Sequence, residues 1–398
     1  MTAPAPRVPD GFLSDYTRMT ACEIAAAVRS GALAARETTA AALELITHHD
    51  TLRAFTEPWP GPAAEQAAEV DRRVRAGERL PLAGVPLAVK ATEGLAAYQT
   101  RRLLRAGCVP VGATSTPGRG TGWQTWGATE RGPTLNPHDP RWAPGGSSAG
   151  SAVAVATGMV PLATGSDGAG SVRIPAAWCS VIGLKPTNGL VRARDRAGLN
   201  IAGPLARTPA DAAAHLDALT GTTALSRPTP HERPLRVTWS ATLGFADTCD
   251  RIAAVARAFL DTLAGTGVVA VHDVPVRLSD PAPYWSALRG HSAMSQDGVT
   301  RGIADLEGRL VRVFAAADVI ATPTTPNPPH GHRGPGDLMS VALTWAFNIS
   351  GHPAISIPAG TTPAGEPVGL QLIARRHREA DLLTVAAAAG TRTPTGGA

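Results

Sequence analysis

Lysine is almost missing from this 398-residue chain: 35 of its 37 basic residues are arginine, leaving only Lys90 and Lys185. Aromatic residues make up 4% of the total and cysteine numbers four. No run reaches the ~18 uninterrupted apolar residues that a membrane span requires. The longest candidate, "SAVAVATGMVPLATG", is broken by Gly, Pro and Thr, so no membrane association is expected. Cys22, Cys108, Cys179 and Cys249 stand apart, with no CxxC pair and no metal-ligand spacing; buried free thiols are the default reading for all four. His330 and His332 in "PPHGHRG" lack a companion ligand cluster and read as loop residues, so neither a metal nor a cofactor is expected. The net charge of +5 is spread over short runs such as "DRR", "TRRLLR" and "ARRHR". A nucleic-acid partner would favour a concentrated basic stripe, and none is expected. The opening "MTAPAPRVPDG" has no apolar signal region, which points to a cytoplasmic protein.

What remains is a soluble, globular composition, 43% hydrophobic and 17% charged. Residues 1–16 read as a flexible Pro-rich tail, and 17–398 as a single domain, because no repeat or long linker interrupts it. Thr20 and Glu23 in "TACE" match a capping box that opens a helix through about Arg29, stopped at Ser30-Gly31. "ARETTAAALELITHH" and "AAEQAAEVDRRVRAG" predict two more helices. "VPLAVK" reads as a strand, "TRRLLRAG" as a helix and "CVPVGAT" as a strand, the alternation of an α/β sheet flanked by helices. The stretch 205–320 reads as helical and arginine-rich, without motifs. "DVIATPTTP" and "HPAISIPAG" are short strands, and a helix over 379–389 closes the chain.

Against its arginine background Lys90 needs an explanation. Arginine stays protonated in proteins, whereas a buried lysine has its pKa lowered and serves as a base near neutral pH. Lys90 follows the apolar "VPLAV", so its stem is expected to be buried; a structural lysine bonded to carbonyls is the competing reading of this stretch.

The densest Gly/Ser stretch is "PGGSSAGSAVAVATGMVPLATGSDGAGSVRIPAAWCSVIGLKPTNGLV", residues 144–191. It offers serines at 147 and 171 in glycine surroundings. Small residues ahead of Ser171 allow several backbone N–H groups to converge on one point, as an oxyanion site requires. It contains no GK[ST], which counts against a phosphate loop, and no GxSxG or histidine, which disfavours a Ser-His-Asp hydrolase. A serine nucleophile still needs a base, and Lys90 is available.

"GGSSAGS" followed by "GSDGAGSVRIPAAWCSVIGLKPTNG" resembles the Gly/Ser signature of the amidase signature enzymes, and "GVPLAVK" their lysine-bearing strand. "GPTLNPHDPRWAPGGSS", "AGPLARTPADAAAHLDAL", "TPTTP" and "GHPAISIPAG" resemble further blocks in order, so the likeness runs, with gaps, over residues 17–390. The resemblance implies an α/β/α sandwich, one large twisted mixed β-sheet covered by helices on both faces. It implies an amidase that breaks a carboxamide C–N bond through an acyl-serine. Ser171 would be the nucleophile, Ser147, after a cis Gly146–Ser147 bond, the proton relay, and Lys90 the base. The oxyanion hole would be the backbone N–H groups of Gly168, Ala169, Gly170 and Ser171, with Ser148, Asp167 and Arg173 in support and Lys185 structural. The expected partner is a small-molecule amide, and a homodimer is left open.

The chain departs from that pattern in places. Ala91-Thr92 stands where Asp-Asn is usual, the loop that normally follows is largely missing, "GATSTPGRGTGWQTWG" is altered, and 220–318 is short. These departures predict an open cleft. Trp123, Trp126 and Trp345 are the candidates for an aromatic substrate pocket. Three other roles are weighed: an amide-forming acyltransferase with the same three residues, an amidotransferase A-type subunit, and a non-catalytic binding protein, which would predict loss of the triad.

Overall fold

The computed structural model describes residues 11–118, 121–192, 195, 197–227 and 231–390. Its strands are β1 (Phe55–Pro58), β2 (Pro86–Lys90), β3 (Val109–Thr114), β4 (Ala128–Thr129), β5 (Gly132–Pro133), β6 (Leu162–Asp167), β7 (Ile182–Lys185), β8 (Ile201–Ala206), β9 (Leu235–Trp239), β10 (Val269–His272), β11 (Val319–Pro323), β12 (Ala354–Thr361) and β13 (Pro367–Ala374). Eleven of them form one sheet in the order β1-β3-β2-β6-β8-β7-β12-β13-β11-β9-β10, while β4 and β5 make a separate ribbon. The sheet is mixed: β2 pairs parallel with both β3 and β6, whereas β6 pairs antiparallel with β8. Every residue of β2, β3, β6, β7, β8, β11 and β13 is buried. Side chains alternate between the faces of a strand, so these strands are covered on both.

The helices are α1 (Phe12–Arg18), α2 (Ala21–Ser30), α3 (Ala35–His48), α4 (Pro60–Arg75), α5 (Tyr98–Arg105), α6 (Ala149–Ala156), α7 (Arg173–Trp178), α8 (Pro209–Thr220), α9 (Asp250–Gly265), α10 (Ala282–Leu288), α11 (Gln296–Ala316), α12 (Ala346–Ile349) and α13 (Glu379–Ala388). The capping box at α2 is formed, with Glu23 N–H donating to Thr20 Oγ1 at 3.1 Å and Thr20 N–H to Glu23 Oε2 at 2.8 Å. Gly31, at φ 79°, ends the helix in the left-handed region that glycine occupies without strain.

Three expectations are corrected. The stretch read as tail already contains the start of α1, at 12–16, where Tyr16 is fully buried and donates its hydroxyl to Met159 O at 3.0 Å. The stretch read as wholly helical, 205–320, carries β9 and β10 and the end of β8; these strands are four to six residues long, and Gly and Pro inside "IAGPLA" mask the pattern. Only Cys108 and Cys179 are buried, whereas Cys22 and Cys249 are half-buried.

Parallel pairing of β2 with β6 sets the candidate residues side by side. Ala88 lies opposite Ala163, so the ends of the two strands, Lys90 and Ser166-Asp167, open on one edge of the sheet. Carboxyl ends of neighbouring parallel strands are the usual place for a site in such sheets.

Candidate active site

Lys90 is 2% exposed. Its backbone N–H donates to Thr164 Oγ1 at 2.9 Å, which fixes the strand end. The amine Nζ lies 2.9 Å from Ser147 Oγ, 3.0 Å from Ser166 Oγ and 3.4 Å from Ser166 O. Burial pushes its pKa down to about 8, with Glu93 and Asp167 opposing the shift. An ammonium stripped of water is unfavourable, and two hydroxyl oxygens and a carbonyl replace only part of its hydration.

Ser147 follows a cis peptide bond from Gly146. Gly146 has no room for a side chain: a Cβ there would lie 2.5 Å from Trp126 O and 2.7 Å from Trp126 N. Ser148 ties this loop to the second serine, its N–H donating to Ser171 O at 3.2 Å. Ser147 and Ser171 are both half-buried. Among the described residues no hydrogen bond links their two hydroxyls.

The loop carrying Ser171 is built around Asp167. Oδ1 accepts from Gly170 N–H at 2.7 Å and Arg173 Nη2 at 2.8 Å, and Oδ2 from Arg173 Nε at 2.9 Å and Val172 N–H at 3.2 Å. Burial alone would raise the carboxyl's pKa, but the charge and bonds of Arg173, with the Asn348 amide and Lys185, hold it well below the usual carboxylate range. Arg173 is itself fully buried and places its remaining protons on Thr344 O at 2.9 Å, Gln371 Oε1 at 2.6 Å and Asn348 Oδ1 at 2.7 Å. All five guanidinium donors are thereby engaged, which is the condition under which a buried ion pair is tolerated.

Each peptide of residues 168–171 is held by its carbonyl or its N–H. Trp285 Nε1 on α10 donates to Gly168 O at 3.0 Å, Thr344 Oγ1 donates to Ala169 O, and Gly170 N–H points at Asp167. Carbonyl and N–H of a trans peptide point in opposite directions, so fixing the Gly168 and Ala169 carbonyls turns the next N–H groups away from Trp285 and Thr344. Of the four expected oxyanion donors, Gly170 is already committed to Asp167. The N–H groups of Gly168, Ala169 and Ser171 have no partner among the described residues. Gly170 adopts φ 122°, and a Cβ there would run into Thr344.

The structure therefore brings together Lys90 with Ser147, and Ser171 with Asp167 and Arg173. Ser148 contributes through its backbone, for its buried hydroxyl has no partner among the described residues. Lys185 lies apart, donating to Pro186 O at 2.8 Å and Asn188 Oδ1 at 2.9 Å. His330 bonds Thr125 and His332 bonds Pro140 O.

A profile of the amidase family matches residues 37–307 and 300–383. The chain belongs to the amidase family. A putative amidase of Mycobacterium tuberculosis is 34% identical to it, with 85% of each chain covered. An acylamidase of Rhodococcus erythropolis is 32% identical over 93% of this chain and 94% of its own. A bacterial aryl acylamidase of the amidase signature family superposes at a TM-score of 0.79 and 24% identity, covering 95% of this chain and 96% of its own; that likeness bears on the fold, an α/β mixed sheet with helices.

In this amidase each of the tryptophans expected to line a pocket has defined neighbours. Trp345 is 5% exposed, with its ring 6.2 Å from that of Trp285. Trp126 meets Gly146 through its backbone and donates Nε1 to Thr121 Oγ1 at 3.2 Å. Trp123 packs its ring on Gly334. The candidate site also contacts residues that the sequence did not single out: Ser166 on Lys90, Trp285 on Gly168, and Thr344, Asn348 and Gln371 around Arg173. Their only signal was indirect, since a buried arginine in "SVRIP" implies acceptors elsewhere in the chain.

Proposed function

We propose that this amidase hydrolyses a carboxamide through an acyl-enzyme on Ser171, with Ser147 as relay and Lys90 as base. The observation that carries the reading is the 2.9 Å bond between Ser147 Oγ and a buried Lys90 whose pKa is lowered to about 8. A lysine near 8 is neutral for roughly a tenth of the time at pH 7, against about 3 parts in ten thousand at an unperturbed 10.5. As Ser171 Oγ bonds to the carbonyl carbon, its proton passes to Ser147 and the Ser147 proton to Nζ. The carbonyl oxygen becomes an oxyanion that the free N–H groups of the 168–171 loop receive. The Lys90 proton then returns through Ser147 to the departing nitrogen as the C–N bond breaks, and water repeats the cycle on the ester.

The test is capture of the intermediate. Incubation with an amide panel and hydroxylamine should yield a hydroxamate, with an acyl mass on the Ser171 peptide when the reaction is quenched. The shortened segment after Lys90 borders an open cavity, which favours amine acceptors as well as water, so the hydroxamate share should climb with hydroxylamine concentration. Hydrolysis indifferent to the amine would remove the acyltransferase reading; no acyl mass on Ser171 would remove the mechanism.

Trp285 supplies a finer test. Trp285→Phe keeps an aromatic ring at this position and deletes the N–H that orients the Gly168 peptide. It should lower kcat about tenfold with KM nearly unchanged, and weaken a trifluoromethyl ketone inhibitor in step. Equal losses for that inhibitor and for a ground-state product would mark a merely structural role.

A further inference from the structure

Beside Lys90 lies a cavity of about 520 Å³, bordered by the segment that stands in for the missing loop. Glu93 comes from that segment, Gln99 and Arg101 from α5, Ser166 from β6, and Arg192 and Asn200 from the connection between β7 and β8. Ser166 is the residue whose hydroxyl holds Lys90 Nζ at 3.0 Å. Asn200 comes up against the Ser171 loop: a Cβ on Gly168 would lie 3.5 Å from Asn200 Oδ1. The cavity therefore runs along the strand end that links the Lys90 partner to the loop of the proposed nucleophile.

One feature distinguishes it from a packing gap. Arg101 and Arg192 are both exposed in the lining and make no ion pair among the described residues. Against these two guanidiniums stands one carboxylate, Glu93, whose charge is felt at Lys90. The lining is thus cationic in balance, which suits a ligand with a carboxylate better than an apolar acyl chain.

We infer that this cavity is a substrate subsite that takes the carboxylate-bearing part of an anionic amide, with Arg101 and Arg192 as the specificity-determining residues. The inference rests on the proposed chemistry at Ser171 for its kinetic form, but the binding site stands separately. The test compares amic acids with their neutral diamides at matched length: glutaramate with glutaramide, and adipamate with adipamide. At one length the wild-type kcat/KM should favour the amic acid by about tenfold, and the preference should shrink as NaCl is raised. In the Arg101→Gln/Arg192→Gln double variant the preference should fall within twofold while the rate on the diamide is kept. Calorimetric titration of glutarate against glutaramide supplies the arm that needs no turnover: glutarate should bind the wild type and not the double variant. No amic-acid preference at either length, a preference that survives the double variant, or glutarate binding that ignores the two arginines overturns the inference. Arginine-dependent glutarate binding without an acyl mass on Ser171 would instead leave the subsite standing and overturn the mechanism.

Discussion

Lys90→Arg is expected to be almost as inactive as Lys90→Ala, with kcat lowered by about 10²–10⁴ in both. Arginine retains the positive charge and much of the stem but cannot release a proton at working pH. The pair therefore separates proton transfer from electrostatics, which a single alanine variant does not. The pH profile gives the sign. In the proposed mechanism the neutral amine is the active form, and burial sets its pKa at about 8, so the rate should climb with pH through that value and level off above it. An enzyme dependent on the ammonium would instead lose activity over the same range. A Lys90→Arg protein with substantial turnover, or a rate that falls between pH 7 and 9, would show that the lysine serves charge or packing only. The Ser166 contact adds a control: Ser166→Ala removes one of the two hydroxyls on Nζ and should move the pH midpoint while leaving a working base.

Ser171→Ala carries the other large effect. Loss of the proposed nucleophile should reduce kcat by about 10⁴–10⁶, and it should abolish covalent capture by a fluorophosphonate probe. The folded state should be unaffected, because the contacts recorded for Ser171 run through its backbone: its carbonyl accepts from Ser148 N–H. Thermal unfolding within a degree or two of the wild type would confirm that activity was lost for chemical reasons. Labelling that persists in the variant, or that maps to Ser147 in the wild type, would reverse the assigned roles of the two serines.

Lys90 was legible because of its background. In a chain that writes arginine for nearly every positive charge, a lysine after five apolar residues carries information that the same residue in a lysine-rich protein would not. Asp167 and Arg173 were legible through the resemblance as supports of the Ser171 loop, while the ion pair between them, six positions apart, is what the structure adds. What closes the network was not legible. Arg173 reaches Asn348 across 175 positions and Gln371 across 198, and nothing local in those two stretches marks an amide side chain as an acceptor for a buried cation. Trp285 was hidden for a similar reason, lying in a stretch without motifs and meeting Gly168 across 117 positions. The engagement of Gly170 N–H by Asp167 was hidden differently: four consecutive small residues look alike as donors until the backbone conformation decides where each one points. Strands β9 and β10 escaped because runs of four or five residues between long helices show too little alternation to separate them from helix.

The two lysines have one more consequence, for chemistry done on the protein rather than by it. Lys90 is 2% exposed and Lys185 is fully buried, so the folded surface offers no ε-amine at all. Succinimidyl esters, amine-directed cross-linkers and lysine-coupled resins would find no side-chain amine on the folded surface. Acylation of either lysine in the native protein would report that a reagent has reached the interior, at Lys90 beside Ser147 or at Lys185 beside Asn188.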